Sequence, residues 1–320
     1  MNTPFESQPL LADRAKTREG LESAEPDTLR LRKILVPLDL SECSRPALRY
    51  AAPVARQFGA TITLLHAALP PKLATAKMAS DLIEIGRQEF GADFGVDAIM
   101  RQGEPVEEIV AAASELNIDL IIISTHGYSG LKHALHGSIA ERVLQAAPCP
   151  VCTIRKDLLL RRNVDALRAE PWKTIVAPVD FSECSRYALR FAGSLARRVE
   201  ARLTLFHVVE LAEAHMSHPL LSFHVIRAMH RADASAKLQR WAQEDIPSGV
   251  PVSTIVRIGV PSFELIERAL GLMRSDLLVM GTHNYSWWKG LMEGGSTKQL
   301  VRHAPCAVIS LREALNQNLN

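Results

Sequence analysis

From Lys33 onward the chain alternates short, almost unbroken apolar runs with longer stretches whose apolar positions recur every three to four residues. The runs "KILVPLD", "ATITLLHAA", "VDAIMRQG", "IDLIIIS" and "CPVCTI" are short and rich in Val, Ile and Leu, and they predict five buried strands. Between them, "SRPALRYAAPVARQFG" has helical spacing and ends on Gly59, a natural helix stop. Residues 76 to 94, "EPVEEIVAAASELN" with Pro105 in its first turn, and "SIAERVLQAA" predict three more helices. Strands buried on both faces and separated by helices imply a parallel sheet joined by right-handed crossovers.

The pattern then restarts. "WKTIVAPVD", "ARLTLFHVV", "PVSTIVRIG", "SDLLVMGTH" and "CAVISL" repeat the five strands in order. The predicted fold class is therefore α/β: two tandem doubly wound domains, each a five-stranded parallel sheet with helices on both faces. The boundaries expected are 1–30 for a mobile arm, 31–156 and 172–313 for the domains, 157–171 for a charged linker, and 314–320 for a tail. The repeat is sharpest where "VPLDLSECSRPALRYA" (36–51) returns 141 residues later as "APVDFSECSRYALRFA" (177–192), identical at 11 of 16 positions.

A formal net charge of +2 gives no electrostatic case for nucleic acid as a partner. No run nears the ~18 apolar residues of a membrane span, and the amino terminus lacks the apolar segment of a secretory signal, so the expected location is cytoplasmic. Five cysteines, an odd number in a long chain, fit reduced thiols better than a disulfide framework.

Ligands of open parallel sheets bind beyond the carboxyl ends of the strands, so the residues following each strand matter most. The first strand is followed by Pro37, Leu38 and Asp39, then by Ser41 and Ser44 at a helix start, where Ser44 is the expected N-cap. Capping accounts for the serines. Asp39 could also accept hydrogen bonds from a ribose or a base edge. After the fourth strand, "STHGYSGLKHALHGSIAERVL" places Gly127 in a turn and Gly137-Ser138 at the opening of a helix. Free N–H groups at a helix start make a ready phosphate site, although glycine spacing by itself is a weak signal.

The order "VPLD-x-S", then "LLH", then "STHG-x9-GSIAERVLQAAPCPV", present twice, resembles the universal stress protein family in its tandem form. The resemblance implies domains of the adenine nucleotide alpha hydrolase-like fold that pair through their last strands, here with pseudo-twofold packing of the two domains. It also allows for a further homodimer. Some members of the family bind ATP through G-x2-G-x9-G-[S/T]. In the first domain the leading glycine is Ser124, a departure, while Gly127, Gly137 and Ser138 are kept. By resemblance, Pro37, Leu38, Asp39, Ile123, Ser124 and Ile139 would surround adenosine, with Ala67 near the base. Gly127, Gly137 and Ser138 would face the phosphates, with or without Mg2+, and His126, beside the glycine loop, could touch phosphate or support the turn. The second domain keeps Pro178, Asp180, Met280, Gly281, Gly294 and Ser296, but Asn284 replaces the middle glycine and Gly295 the serine. Trp287 and Trp288 stand where the first domain has Gly130 and Leu131, so the second site is expected to be degraded for ATP. The expectation is thus a stress-response module binding ATP in domain 1. The alternative is a tandem stress protein without nucleotide, acting as an interaction protein or a carrier of an apolar ligand.

Other signals carry less. Cys149 and Cys152 match C-x-x-C but fall on a strand, where residues three apart point to opposite faces, so a structural role is expected. His215, His218, His224 and His230 cluster without a completing cysteine, and no metal site is assigned to them. No nucleophile–base–acid set and no P-loop lysine are present, so any ATP cleavage would be slow.

Overall fold

Strand β1 (Lys33–Pro37) owes its place to a simple alternation: Ile34 and Val36 face one core, Leu35 the other, and all three are fully buried. The same alternation recurs in β2 (Thr61–Ala68), β4 (Leu120–Thr125) and β5 (Val151–Arg155), with β3 (Val96–Gln102) at the edge. Helices α1 (Arg45–Phe58) and α2 (Ala76–Phe90) pack on one face, and α3 (Pro105–Glu115) and α4 (Ile139–Ala146) on the other. The second half repeats this with β6 (Thr174–Pro178), α5 (Glu183–Arg198), β7 (Arg202–Val209), α6 (Phe223–Asp245), β8 (Val252–Ile258), α7 (Phe263–Leu272), β9 (Leu277–Thr282) and β10 (Ala307–Arg312). The computed structural model describes residues 29–68, 76–91, 94–125, 139–155, 157–158, 172–210, 223–259, 263–282 and 301–312. The expected arm up to residue 28, the linker from 159 to 171 and the tail lie outside the described residues.

The strands form one ten-stranded sheet in the order β3-β2-β1-β4-β5-β10-β9-β6-β7-β8. Each half is a parallel 3-2-1-4-5 sheet, and its chain reverses direction across the sheet between β1 and β4, or β6 and β9. The same device fixes the register at both reversals. Asp119 Oδ2 accepts the backbone N–H groups of Arg32 (2.7 Å) and Lys33 (2.9 Å), and Asp276 Oδ2 accepts those of Lys173 and Thr174, both at 2.9 Å. One boundary differs from the sequence reading. The helix expected over 76–94 stops at Phe90, because Gly91 takes a φ of 94°, which ends the helical path.

The halves meet at β5 and β10, the one antiparallel pair among the described strands, with Cys152 opposite Ile309. One core runs unbroken beneath the junction, joining Cys152 and Ile154 to Ile309 and Leu311 and continuing into α1 and α5. Trp172, just ahead of β6, crosses between the halves. Its indole packs 6.0 Å from the Phe58 ring and donates to the Tyr50 hydroxyl at 2.7 Å, all in the interior. Arg155 donates to the carbonyl oxygens of His303 and Ala304, and Arg312 donates to that of Ala147 at 3.3 Å. The motif expected on a strand is only partly on one, because β5 begins at Val151; Cys149, just ahead of it, and Cys152 are buried in cores on opposite faces of the sheet. Burial pushes the Cys149 thiol up to about 12, and raises that of Cys152 as well, so neither is primed as a thiolate.

Candidate functional site

The turn after β1 is built by strain offset with hydrogen bonds. Leu40 has a φ of 63°, an unusual conformation for a branched side chain. Asp39 Oδ1 holds it there by accepting from Ser41 N–H (2.9 Å) and Ser41 Oγ (2.6 Å). From the other side, His66 Nδ1 donates to the Leu38 carbonyl at 2.8 Å. The second half makes the same turn, with Phe181 at φ 64°, Asp180 Oδ1 accepting from Ser182 N–H and Oγ, and His207 Nδ1 donating to Val179 O at 2.7 Å. The aspartate is therefore part of the turn itself, a role that capping of the helix alone did not suggest.

The two halves differ one step later. In the second, Ser182 Oγ accepts from Ser185 N–H and α5 begins at Glu183, an ordinary cap. In the first, Glu42–Ser44 form a turn and α1 begins only at Arg45. Ser44 occupies the expected N-cap position but does not cap, because its hydroxyl donates to Ser41 O instead. The cap comes from β4: Ser124 Oγ accepts from Ala47 N–H at 2.9 Å and donates to Ser44 O at 3.3 Å. The counterpart of Ser124 is Gly281, where an added Cβ would stand 2.7 Å from both the carbonyl oxygen and the Sγ of Cys184. Neither Ser124 nor Gly281 has a positive φ, so glycine is required at 281 by close approach alone. The departure from glycine at 124 is accommodated because the first turn of α1 opens to admit the serine hydroxyl. Gly281→Ala should accordingly cost about 2 kcal/mol, since backbone rather than a flexible side chain must move. Urea unfolding of the full chain reads this directly, and an unchanged midpoint would contradict the close packing.

A cleft opens to solvent at the β1/β4 reversal. Its wall includes Pro37, Leu38, Asp39, Ala67, Ile123, Ser124 and Ile139, drawn from four separate stretches of chain. Cys43, Ser44, Leu65, Pro105, Ile109 and Ala140 complete it. The sequence reading missed these six. Pro105 and Ile109 lie four residues apart on α3, and that spacing was the available signal. His126, Gly127, Gly137 and Ser138 lie outside the described residues, as do Gly294, Ser296, Asn284, Trp287 and Trp288. Ile139, directly after Ser138, opens α4 at the rim of the cleft and is 40% exposed.

At corresponding positions the second half carries two bulkier side chains, Phe206 for Leu65 and Val208 for Ala67, while Met280 replaces Ile123 at similar volume. Pro178 and Gly281 stand at the same strand ends as in the first half. An aromatic group covers the Asp180 turn. Phe181 stacks 4.5 Å from His207 and meets the Trp241 ring edge-on at 5.3 Å, with Lys237 Nζ 4.2 Å above Phe181. Burial lowers the His207 pKa, an effect partly countered by its bond to Val179. The sequence reading looked to Trp287 and Trp288 for aromatic filling. This group comes instead from a turn, a strand and a helix that no local pattern connects.

Among the described residues, no cluster of His, Cys, Asp or Glu could hold a metal ion, and no helix is long and apolar enough to cross a membrane. Comparison with known proteins is consistent along the chain. A family model described as "Universal stress protein family" matches residues 30–155 and again 171–312. A universal stress protein of Mycobacterium tuberculosis is 25% identical over 305 residues, covering 88% of this chain and 97% of the relative. One from Methanocaldococcus jannaschii is 32% identical over 141 residues, covering 39% of this chain and 82% of the relative. The crystal structure of a universal stress protein from Archaeoglobus fulgidus superimposes with a TM-score of 0.62 at 21% identity, covering 89% of this chain and 97% of the other.

Proposed function

This chain belongs to the universal stress protein family, matched over both halves, and from that premise we propose that it is a cytoplasmic stress-response module binding one ATP per chain, in its first half. The observation that carries this reading is the cleft at the β1/β4 reversal. Open parallel sheets bind their ligands at such a reversal, and the residues expected around adenosine converge on it from distant parts of the sequence. The chemistry of the wall fits the group. Leu65, Ile109 and Ile123 offer an apolar bed for a purine, and Ala67 leaves room over it. Pro37, Leu38 and Asp39 line the cleft, where Asp39 would accept from ribose hydroxyls, and α4 starts at Ile139 on its wall, where phosphates would lie. In this reading Ser124 and Ile139 flank the adenosine, while His126, Gly127, Gly137 and Ser138 meet the phosphates, with any Mg2+ bound alongside. ATP when bound would supply a charge-bearing ligand whose occupancy others can read.

The second site is degraded in this proposal. Phe206 and Val208 are larger than Leu65 and Ala67, whose places they take, and the middle glycine is Asn284. The two halves pack about a pseudo-twofold axis at the β5/β10 pair. Its support is the register: Cys152 and Ile309 hold the same place in their repeats and stand opposite each other. A second reading, a carrier or interaction protein without nucleotide, is favoured by the Phe181–Trp241–His207 group beside Asp180. All five cysteines are free thiols, in keeping with a reducing compartment.

Native mass spectrometry of the full chain titrated with ATP separates these readings. One ATP per chain is the expected result. Two would contradict the degraded second site, and none, particularly with a co-purifying lipid, would favour the carrier.

A further inference from the structure

Helix α4 is held at both ends by the other half of the chain. In its first turn Glu141, only 4% exposed, accepts from Arg302 Nε at 2.6 Å. Just past its last turn, Ala147 O accepts from Arg312 Nη1 at 3.3 Å. Val301, next to Arg302, packs into the first half's core with Val143 and Leu144. The Arg312 contact has a mate in Arg155, which donates to Ala304 O. The charge pair has none: the repeat position of Glu141 is Lys298, and that of Arg302 is Gln145. The backbone contacts are therefore reciprocal, and the ion pair alone runs one way, from the second half to the first.

The location gives this pair a consequence. Ile139 and Ala140, the two residues before Glu141, line the cleft. A carboxylate buried one turn from a helix start repels any phosphate brought to that end unless a cation balances it. Arg302 is that cation, on an element the first half does not contain. Resting on the ATP reading above, we propose that Arg302 is a positioning residue for the first half's phosphate-binding end. By neutralising Glu141 and fixing the first turn of α4, it makes the second half a support for nucleotide binding in the first.

The test is calorimetric titration of the full chain with ATP and, separately, with adenosine. Arg302→Gln should weaken ATP about tenfold, within the usual range of coupling between sites, and leave adenosine within about twofold. Arg302→Lys should keep most of the affinity, and the double variant Glu141→Gln, Arg302→Gln should regain most of what the single variant loses. A purely structural role would weaken both ligands alike. That result, or an Arg302→Gln chain that binds ATP as the parent does, would overturn the proposal. A parent chain that binds adenosine but not ATP would also overturn it, whereas one that binds neither removes the nucleotide reading itself.

Discussion

Trp172→Ala is expected to remove about 4 kcal/mol of stability, the scale of a buried Trp truncation, and to remove it from both halves together. Trp172 is 1% exposed and lies in the core that runs without interruption from α1 and α2 to α5 and α6. Its indole fills space against Phe58, over which the Arg198 guanidinium also sits at 5.5 Å, and its N–H reaches Tyr50 in the first half. The resulting void is bordered by both halves, so neither can collapse into it independently. Urea unfolding followed by far-UV circular dichroism and by tryptophan fluorescence should give coincident curves for the parent and a lower midpoint for the variant. A loss below about 1 kcal/mol, well under the usual cost of such a truncation, or a parent that unfolds in two separate steps, would contradict a shared core.

The second large effect concerns the cleft. Ala67 is the small side chain that keeps its upper wall open, and the second half carries Val208 at the same place. Ala67→Val should weaken ATP about tenfold and Ala67→Phe at least a hundredfold, about 3 kcal/mol. Ala67 lies near the carboxyl end of β2, at the mouth of the cleft, so the larger groups can be held without disturbing the sheet. Isothermal titration with a parallel thermal melt checks both halves of the claim. An Ala67→Phe chain that melts as the parent does yet binds ATP unchanged would show that the base sits elsewhere.

The architecture was legible in the sequence because strands buried on both faces leave continuous Val, Ile and Leu runs, and because the cassette at 36–51 returns at 177–192. Pro37 and Asp39 were legible from their position after the first strand, Ala67 and Ile123 only through the family resemblance, and the order of the fold brings all four to one cleft. What the sequence could not show is long-range. Ser44 has the composition of a cap, but the hydroxyl that caps α1 belongs to Ser124, 80 residues further on. Glu141 reads as an ordinary acid in the first turn of a helix, and its partner Arg302 lies 161 residues further on. Phe181, His207 and Trp241 form one group only because α6 is laid across the end of β7. Such contacts arise between elements that no local pattern links, so periodicity is blind to them.

Because β5 and β10 belong to one polypeptide, the pairing between them cannot be diluted away. A protein assembled from separate single-domain subunits would come apart at low abundance, and its response would track its own expression level. Here the ratio of the two halves is fixed at synthesis, whatever the abundance of the chain.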